Sequence, residues 1–375
     1  MLTRDFILCF FGQFAFASVI FVLVPTLPIY LSRLGSTEVE IGILIGAFGI
    51  SSLVLRPIVG RALVKISEKA FMIAGAVLFV LSSAAYLIAP PFWPLFIVRL
   101  FQGIASAFFF TAAILFITNT TSDASRGRSL GYFFLSFNIS LALAPPFGML
   151  LINHFSFTVL FLVCVALSLC SLFIAGKLGK REIVPIVDHS MEGTPLFSFK
   201  AFPPTFVYFS VHTIWGALTT FFPLYAIHHG VTNPGLFFAA YAIVVIFGRT
   251  VAGRILDLYR REKIILLCHI TFIISMPLLA FSETQSMFVL VAVISGVGHA
   301  FIFPSLVAYT IDLAGPSRGP ALGLLMGTGD LGMVLGPMIM GIVLRLTNYT
   351  TMFLCVALTA LISFVYFFLS MRKKT

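Results

Sequence analysis

Apolar stretches of about twenty residues recur down this chain between short polar breaks, and that spacing limits its fold more than any other feature. A helix rises about 1.5 Å per residue, so each stretch is long enough to cross about 30 Å of hydrocarbon. No water reaches backbone N–H and C=O groups there, which leaves only helices and closed barrels as spanning structures. A barrel would read as ten-residue strands of alternating polarity, and runs such as Ala70 to Ala89 have no such alternation. Charged residues are 10% of the 375 and hydrophobic ones 60%, far from the balance of a soluble domain. The expected class is an all-α integral membrane protein of twelve transmembrane helices in two six-helix bundles.

In the first half the spans run over Phe6 to Leu31, Ile41 to Gly60, Ala70 to Ala89, Leu95 to Thr118, Ser129 to Ile152 and Phe157 to Lys177. In the second they run over Pro204 to Ile227, Leu236 to Gly253, Ile264 to Phe281, Ser286 to Ile311, Gly319 to Leu344 and Thr351 to Met371. The first run is too long for a signal-peptide core and has no small-residue cleavage site before Ser32, so it is read as a retained helix.

Orientation follows from the basic residues, because Lys- and Arg-rich loops resist translocation. Eighteen of the 23 fall on one side: Arg4, the Arg61/Lys65/Lys69 loop, Arg126 and Arg128, Lys177 to Lys200, Arg254 to Lys263, Arg318 and the Arg372 to Lys374 tail. Both termini are therefore expected in the cytoplasm. Arg33 and Arg345 sit at the outer side, while Arg56, Arg99 and Arg249 fall within spans. The net charge of +10 reflects this topology and calls for no nucleic-acid partner. All five cysteines lie inside apolar spans, where a free thiol behaves as a small hydrophobe. Neither a disulfide nor a metal site is expected, and no cofactor; His228 and His229 are adjacent and do not share a helix face.

The chain repeats itself. Arg56-Pro-Ile-Val-Gly60-Arg61 leaves span 2 as Arg249-Thr-Val-Ala-Gly253-Arg254 leaves span 8. At that register Val98, Gly103, Ala107, Phe108 and Phe110 fall on Val291, Gly296, Ala300, Phe301 and Phe303. One residue is lost in the next loop, after which Leu130-Gly131 meets Leu322-Gly323, Asn138 meets Asp330 and Pro145 meets Pro337. Six spans per half in matching orientation make a parallel repeat, the device from which transporters build a site between two bundles. The expected division is 1–178, a polar cytoplasmic linker over 179–202, and 203–375.

These residues resemble the major facilitator superfamily of secondary transporters over essentially the whole chain, and its drug and metabolite efflux branch of twelve-span antiporters most of all. Gly253-Arg254-Ile-Leu-Asp257-Leu-Tyr-Arg260-Arg261 is similar to the family's signature loop, which implies a cytoplasmic latch. The first-half copy, Gly60-Arg61-Ala-Leu-Val64-Lys65, has valine where the aspartate belongs. Arg99-Leu-Phe-Gln102-Gly103 resembles the Arg-x-x-Gln-Gly element, and Asp123-Ala-Ser-Arg126-Gly-Arg128 the charged turn after span 4. Gly60, Arg61, Asp123, Arg128, Gly253, Arg254 and Asp257 are thereby implied as a cytoplasmic gate. Ser140-Leu-Ala-Leu-Ala144-Pro145-Pro146-Phe-Gly148 is a degenerate form of the glycine-proline motif associated with antiporters; span 11 carries it more fully in Gly332, Gly336-Pro337 and Gly341.

Polar side chains are expensive inside a membrane bundle and are candidate sites by default. Asp330 is the one acidic residue placed well inside a span, and with His299 it forms the candidate proton-coupling pair. Gln13, Arg99, Gln102, Asn138, His212 and Trp215 are the candidate substrate cavity, since the resemblance implies that spans 1, 4, 7 and 10 line it. Competing readings are a snorkelling anchor for Arg99, interhelical hydrogen bonds for Gln13 or Asn138, and a permanently bonded structural Asp330. One acid, one arginine, two histidines and aromatic walls favour a neutral, zwitterionic or anionic organic solute. The expected function is proton-coupled efflux of a drug or metabolite, by a monomer whose partners are that small molecule, protons and the lipid of a bacterial inner membrane. A nutrient symporter shares the fold. An intramembrane enzyme lacks a legible catalytic constellation, and a transport-dead sensor lacks room for an output domain.

Overall fold

The computed structural model describes residues 3–121, 126–179, 202–314 and 318–372. They form twelve helices: α1 (Arg4–Arg33), α2 (Glu38–Ala62), α3 (Glu68–Ala85), α4 (Trp93–Thr120), α5 (Arg126–His154), α6 (Phe157–Lys177), α7 (Phe202–His228), α8 (Gly235–Leu258), α9 (Arg261–Ala280), α10 (Gln285–Ala314), α11 (Arg318–Leu346) and α12 (Tyr349–Arg372). Among the described residues ten of them are long and apolar enough to cross a membrane. Threonines, His212 and prolines dilute the hydropathy of α7, and α8 is apolar over Gly235–Thr250, beyond which its side chains lie outside the described residues. Between Gly179 and Phe202 the expected linker lies outside the described residues.

Local chemistry sets the helix ends. Thr3, Ser67 and Ser156 each accept a hydrogen bond from the third residue of the helix they open, satisfying amides that have no partner within the helix. Thr37 and Glu40 form a reciprocal capping box at α2: the Thr37 amide donates to Glu40 Oε2 at 2.7 Å and the Glu40 amide to Thr37 Oγ1 at 3.3 Å. α3 stops at Ala85, short of the expected Ala89. Pro90 and Pro91 follow, and the residue before a proline is pushed out of the helical region. The chain therefore tightens into three-residue bonds at Leu87 and Ile88.

The two halves fold by one plan. Contacts divide the chain into two compact units, the second of which also takes the Thr37–Gly46 stretch of α2. In the first unit α1 packs on α5 and α6, and α3 on α4 and α6. The second pairs α7 with α11 and α12, and α9 with α10 and α12, which is the same set one repeat later. Helices α1 and α7 even end alike, on left-handed glycines, Gly35 (φ 82°) and Gly230 (φ 76°). At each, the following amide reaches back five residues to a carbonyl, Ser36 to Leu31 and Val231 to Ala226.

Small residues set how closely these helices cross. A Cβ on Gly103 of α4 would collide with Phe48 O and Ser51 Oγ of α2, and Ser51 donates to Leu100 O at 2.8 Å. A Cβ on the repeat-related Gly296 of α10 would lie only 3.2 Å from Tyr241 O and 3.1 Å from Val244 Cβ, the equivalent residues of α8. The glycine-proline segments serve similar crossings. Ser140 of α5 donates to Phe14 O of α1 at 3.0 Å; its counterpart Gly332 of α11 leaves no room for a Cβ beside Phe209 O of α7, nor does Gly336 beside Thr213 O. A stack of Phe79, Phe16 and Phe109, at 4.1 and 4.3 Å between centroids, joins α1, α3 and α4 in the core of the first unit.

The two related glycines should respond differently to one methyl group. Gly103→Ala drives backbone into backbone and should cost about 1–3 kcal/mol, visible as a lower Tm of the purified protein in detergent. Gly296→Ala asks its neighbours to yield only a few tenths of an ångström and should shift Tm less. Equal losses would contradict the packing described.

Candidate functional site

In the first unit the site is built on α4, where Arg99 and Gln102 stand three residues apart on one face. Arg99 is 9% exposed, its Nη1 donates to Gln102 Oε1 at 2.8 Å, and its guanidinium lies 4.9 Å from the Phe48 ring centroid. The hydroxyl of Tyr86 donates to the same Oε1 at 2.9 Å. Arg99 thus sits inside the unit, not at a snorkelling position. Gln102 Nε2 and Gln13 Oε1 are buried and have no hydrogen-bond partner among the described residues. An unmet buried group costs about 1–3 kcal/mol, so Gln102 offers a spare donor and Gln13 a spare acceptor. Asn138 Nδ2 donates to Phe134 O of its own helix at 3.1 Å. Arg56 lies over Phe110, 5.9 Å from its centroid.

The second unit gathers aromatic and basic groups from α7, α8 and α10. Trp215 stacks on Tyr241 at 4.5 Å and 22°, and His299 lies 5.7 Å from Trp215 and 5.5 Å from Tyr241. One turn before Trp215, His212 Nδ1 donates to Tyr208 O at 2.9 Å, and the His212 and Tyr208 rings are 4.0 Å apart. Arg249 of α8 is close enough for its charge to bear on His299, Tyr241 and Tyr208. α11 passes so near that a Cβ on Gly329 would strike the Tyr208 ring; Asp330 is the next residue and is half-buried.

The structure therefore brings Trp215 and His299 together and gives His299 aromatic neighbours. Tyr86, Tyr208, Tyr241 and Arg249 belong to these clusters although the sequence reading did not group them there. A tyrosine in an apolar span needs a partner for its hydroxyl, and Arg249 was visible as an intramembrane charge; those were the available signals. His269, also not singled out, is buried and bonded through Nε2 to Ser363 Oγ at 3.1 Å and through Nδ1 to Ile265 O at 2.8 Å, which ties α9 to α12. Phe221 and Phe222 are fully buried, with Phe222 packed on Phe237, Phe238 and Phe288 as core. Of the expected gate, Gly60 and Arg61 close α2. Asp123 and the side chains of Arg128, Arg254 and Asp257 lie outside the described residues, as does any account of Gly253 beyond its backbone.

Long apolar helices in two repeated units, each holding buried polar groups on its first and fourth helices, define a polytopic membrane transporter. The chain belongs to the Major Facilitator Superfamily, whose family profile matches residues 9–248 and 204–375. It is 24% identical over 361 residues to the staphylopine export protein of Staphylococcus aureus, covering 92% of this chain and 90% of that one. To the quinolone resistance protein NorA of S. aureus it is 22% identical over 366 residues, covering 91% and 90%. Among solved structures, a mutant form of the nucleoside transporter NupG superposes with a TM-score of 0.83 at 15% identity, covering 97% and 99% of the two chains, a likeness of fold. The protein is accordingly a multi-pass plasma-membrane transporter of small molecules and not an enzyme.

Gln102 is the acceptor on which the first unit's polar cluster turns. Gln102→Leu strips a hydrogen bond from a buried guanidinium and should cost about 1.5–3 kcal/mol, against about 1 kcal/mol for Tyr86→Phe. Thermal unfolding in detergent reads both, and a Tyr86→Phe protein as unstable as Gln102→Leu would contradict the arrangement.

Proposed function

We propose that the chain exports a small organic solute in exchange for protons, by alternating access of two six-helix bundles. What supports this is the half-buried Asp330, set in α11 beside the glycine that abuts Tyr208 and in the same unit as His212, Trp215 and His299. A titratable carboxyl in a bundle is costly and fits a proton relay. Relatives whose names are those of an exporter and a drug-resistance protein point to outward transport.

In this reading all twelve helices span the membrane, with residues 1–178 and 203–375 as the bundles, 179–202 as a cytoplasmic linker and both termini in the cytoplasm. Asp330 is the coupling residue and His299 its partner. Gln13, Arg99, Gln102, Asn138, His212 and Trp215 contact the solute, Gly60, Arg61, Asp123, Arg128, Gly253, Arg254 and Asp257 form the cytoplasmic gate, and the working unit is a monomer.

Asp330→Asn keeps the side chain's shape and removes its titration. In proteoliposomes the variant should lose accumulation driven by a pH gradient while retaining counterflow of the same solute. A variant that still concentrates solute under a pH gradient would remove Asp330 from the coupling step.

A further inference from the structure

Two polar atoms of the second unit lie close together without the partners their burial calls for. Tyr241 is 1% exposed, and its hydroxyl has no hydrogen-bond partner among the described residues. Nδ1 of His299, whose ring lies 5.5 Å from that of Tyr241, is likewise buried and unmatched. The half-buried Arg249 stands two turns further along α8 from Tyr241, with no ion pair among the described residues. Buried groups are nearly always bonded, so two neighbouring exceptions beside an arginine call for a group that the described residues do not supply.

The same residues fix what that group looks like. Trp215 and Tyr241 lie nearly parallel at 4.5 Å, with His299 tilted against both, so the unmatched atoms are bordered by flat π surfaces. Aromatic walls favour a planar ring by stacking. Arg249 is the permanently charged member of this group, and a guanidinium pairs with a carboxylate more strongly than with any neutral acceptor. A cation placed beside it would face like charge.

We propose that Trp215, Tyr241, His299 and Arg249 form a solute subsite that selects planar aromatic acids, stacking the ring on the part-exposed Trp215, which Tyr241 backs from its other face, bonding it through Tyr241 and His299, and pairing its carboxylate with Arg249. The proposal rests on the transport reading and adds the chemical class of the solute. At the repeat register Tyr241 falls on Phe48, which keeps the ring without the hydroxyl, His299 on Ser106, and Arg249 on Arg56, so the first half does not repeat the set.

The chain has two tryptophans, Trp93 and Trp215. Trp93 is 68% exposed at the start of α4, so Trp93→Phe leaves Trp215 as the sole emitter. The purified full-length protein would be titrated with 4-nitrobenzoate, 4-nitrobenzyl alcohol and (4-nitrobenzyl)trimethylammonium, which share a quenching ring and differ in charge. The expected result is saturable quenching by the acid at a Kd at least about tenfold below those of the alcohol and the cation. Arg249→Gln should erase that preference and leave alcohol binding unchanged, and Tyr241→Phe should weaken all three ligands while sparing the preference. A cation bound as tightly as the acid, or no saturable quenching by any of the three, would overturn the proposal, and neither result depends on Arg249→Gln or Tyr241→Phe folding. Solute counterflow in proteoliposomes separates the two readings: transport of other solutes with no selection for the acid sinks the subsite alone, whereas no counterflow of any solute sinks the transport reading.

Discussion

Backbone amides inside hydrocarbon must be bonded within their own helix, and once that is done the helices have little hydrophobic reason to adhere to one another. What then holds a bundle together is how closely backbones approach. In this protein that approach is set by Gly103 against Phe48 and by Gly296 against Tyr241, and along α7 and α11 by Gly332 and Gly336. Each crossing fixes the polar residues beside it. Gly103 directly follows Gln102, and its contact on Phe48 brings the Phe48 ring under the Arg99 guanidinium. Gly296 precedes His299 by one turn and touches the carbonyl of Tyr241, which is why those two side chains meet.

Shared packing carries unlike chemistry. In the first unit Arg99 is answered by Gln102, which also receives Tyr86, so the buried charge sits in a bonded cluster. At the equivalent positions the second unit has Ala292 and Ser295, and Ser295 bonds only to its own helix at 2.7 Å. Polar groups there come from α7, α8 and α10, where tyrosine, histidine and tryptophan surround atoms with no partner among the described residues. Both units thus keep unmatched buried polar atoms, Gln13 Oε1 and Gln102 Nε2 in the first and Tyr241 Oη and His299 Nδ1 in the second, in unlike surroundings.

Much of the fold was legible because its determinants are local. Apolar length located all twelve helices, and α6 begins and ends at the expected residues. The repeat register, read from Arg56 and Arg249, places Phe48 and Ser51 on Tyr241 and Val244, which are the residues the two glycines meet. The early end of α3 was less visible, since Leu87 to Ala89 remain apolar and only the steric effect of Pro90 stops them. In the site, Arg99 and Gln102 could be read because both lie on one turn of one helix. Tyr241 could not, since its position against Trp215 and His299 depends on three helices and on the closeness that Gly296 permits. Depth along a span is equally silent about which ring neighbours His299.

The central claim is that solute leaves in exchange for protons. Its most direct test is to load proteoliposomes of the purified protein with solute and a pH-sensitive dye, dilute them into solute-free buffer, and follow internal pH with no other gradient imposed. Antiport predicts acidification of the lumen as solute flows out, absent from liposomes without protein. Alkalinisation, with protons leaving alongside the solute, would contradict the account, and so would solute efflux with no change in pH.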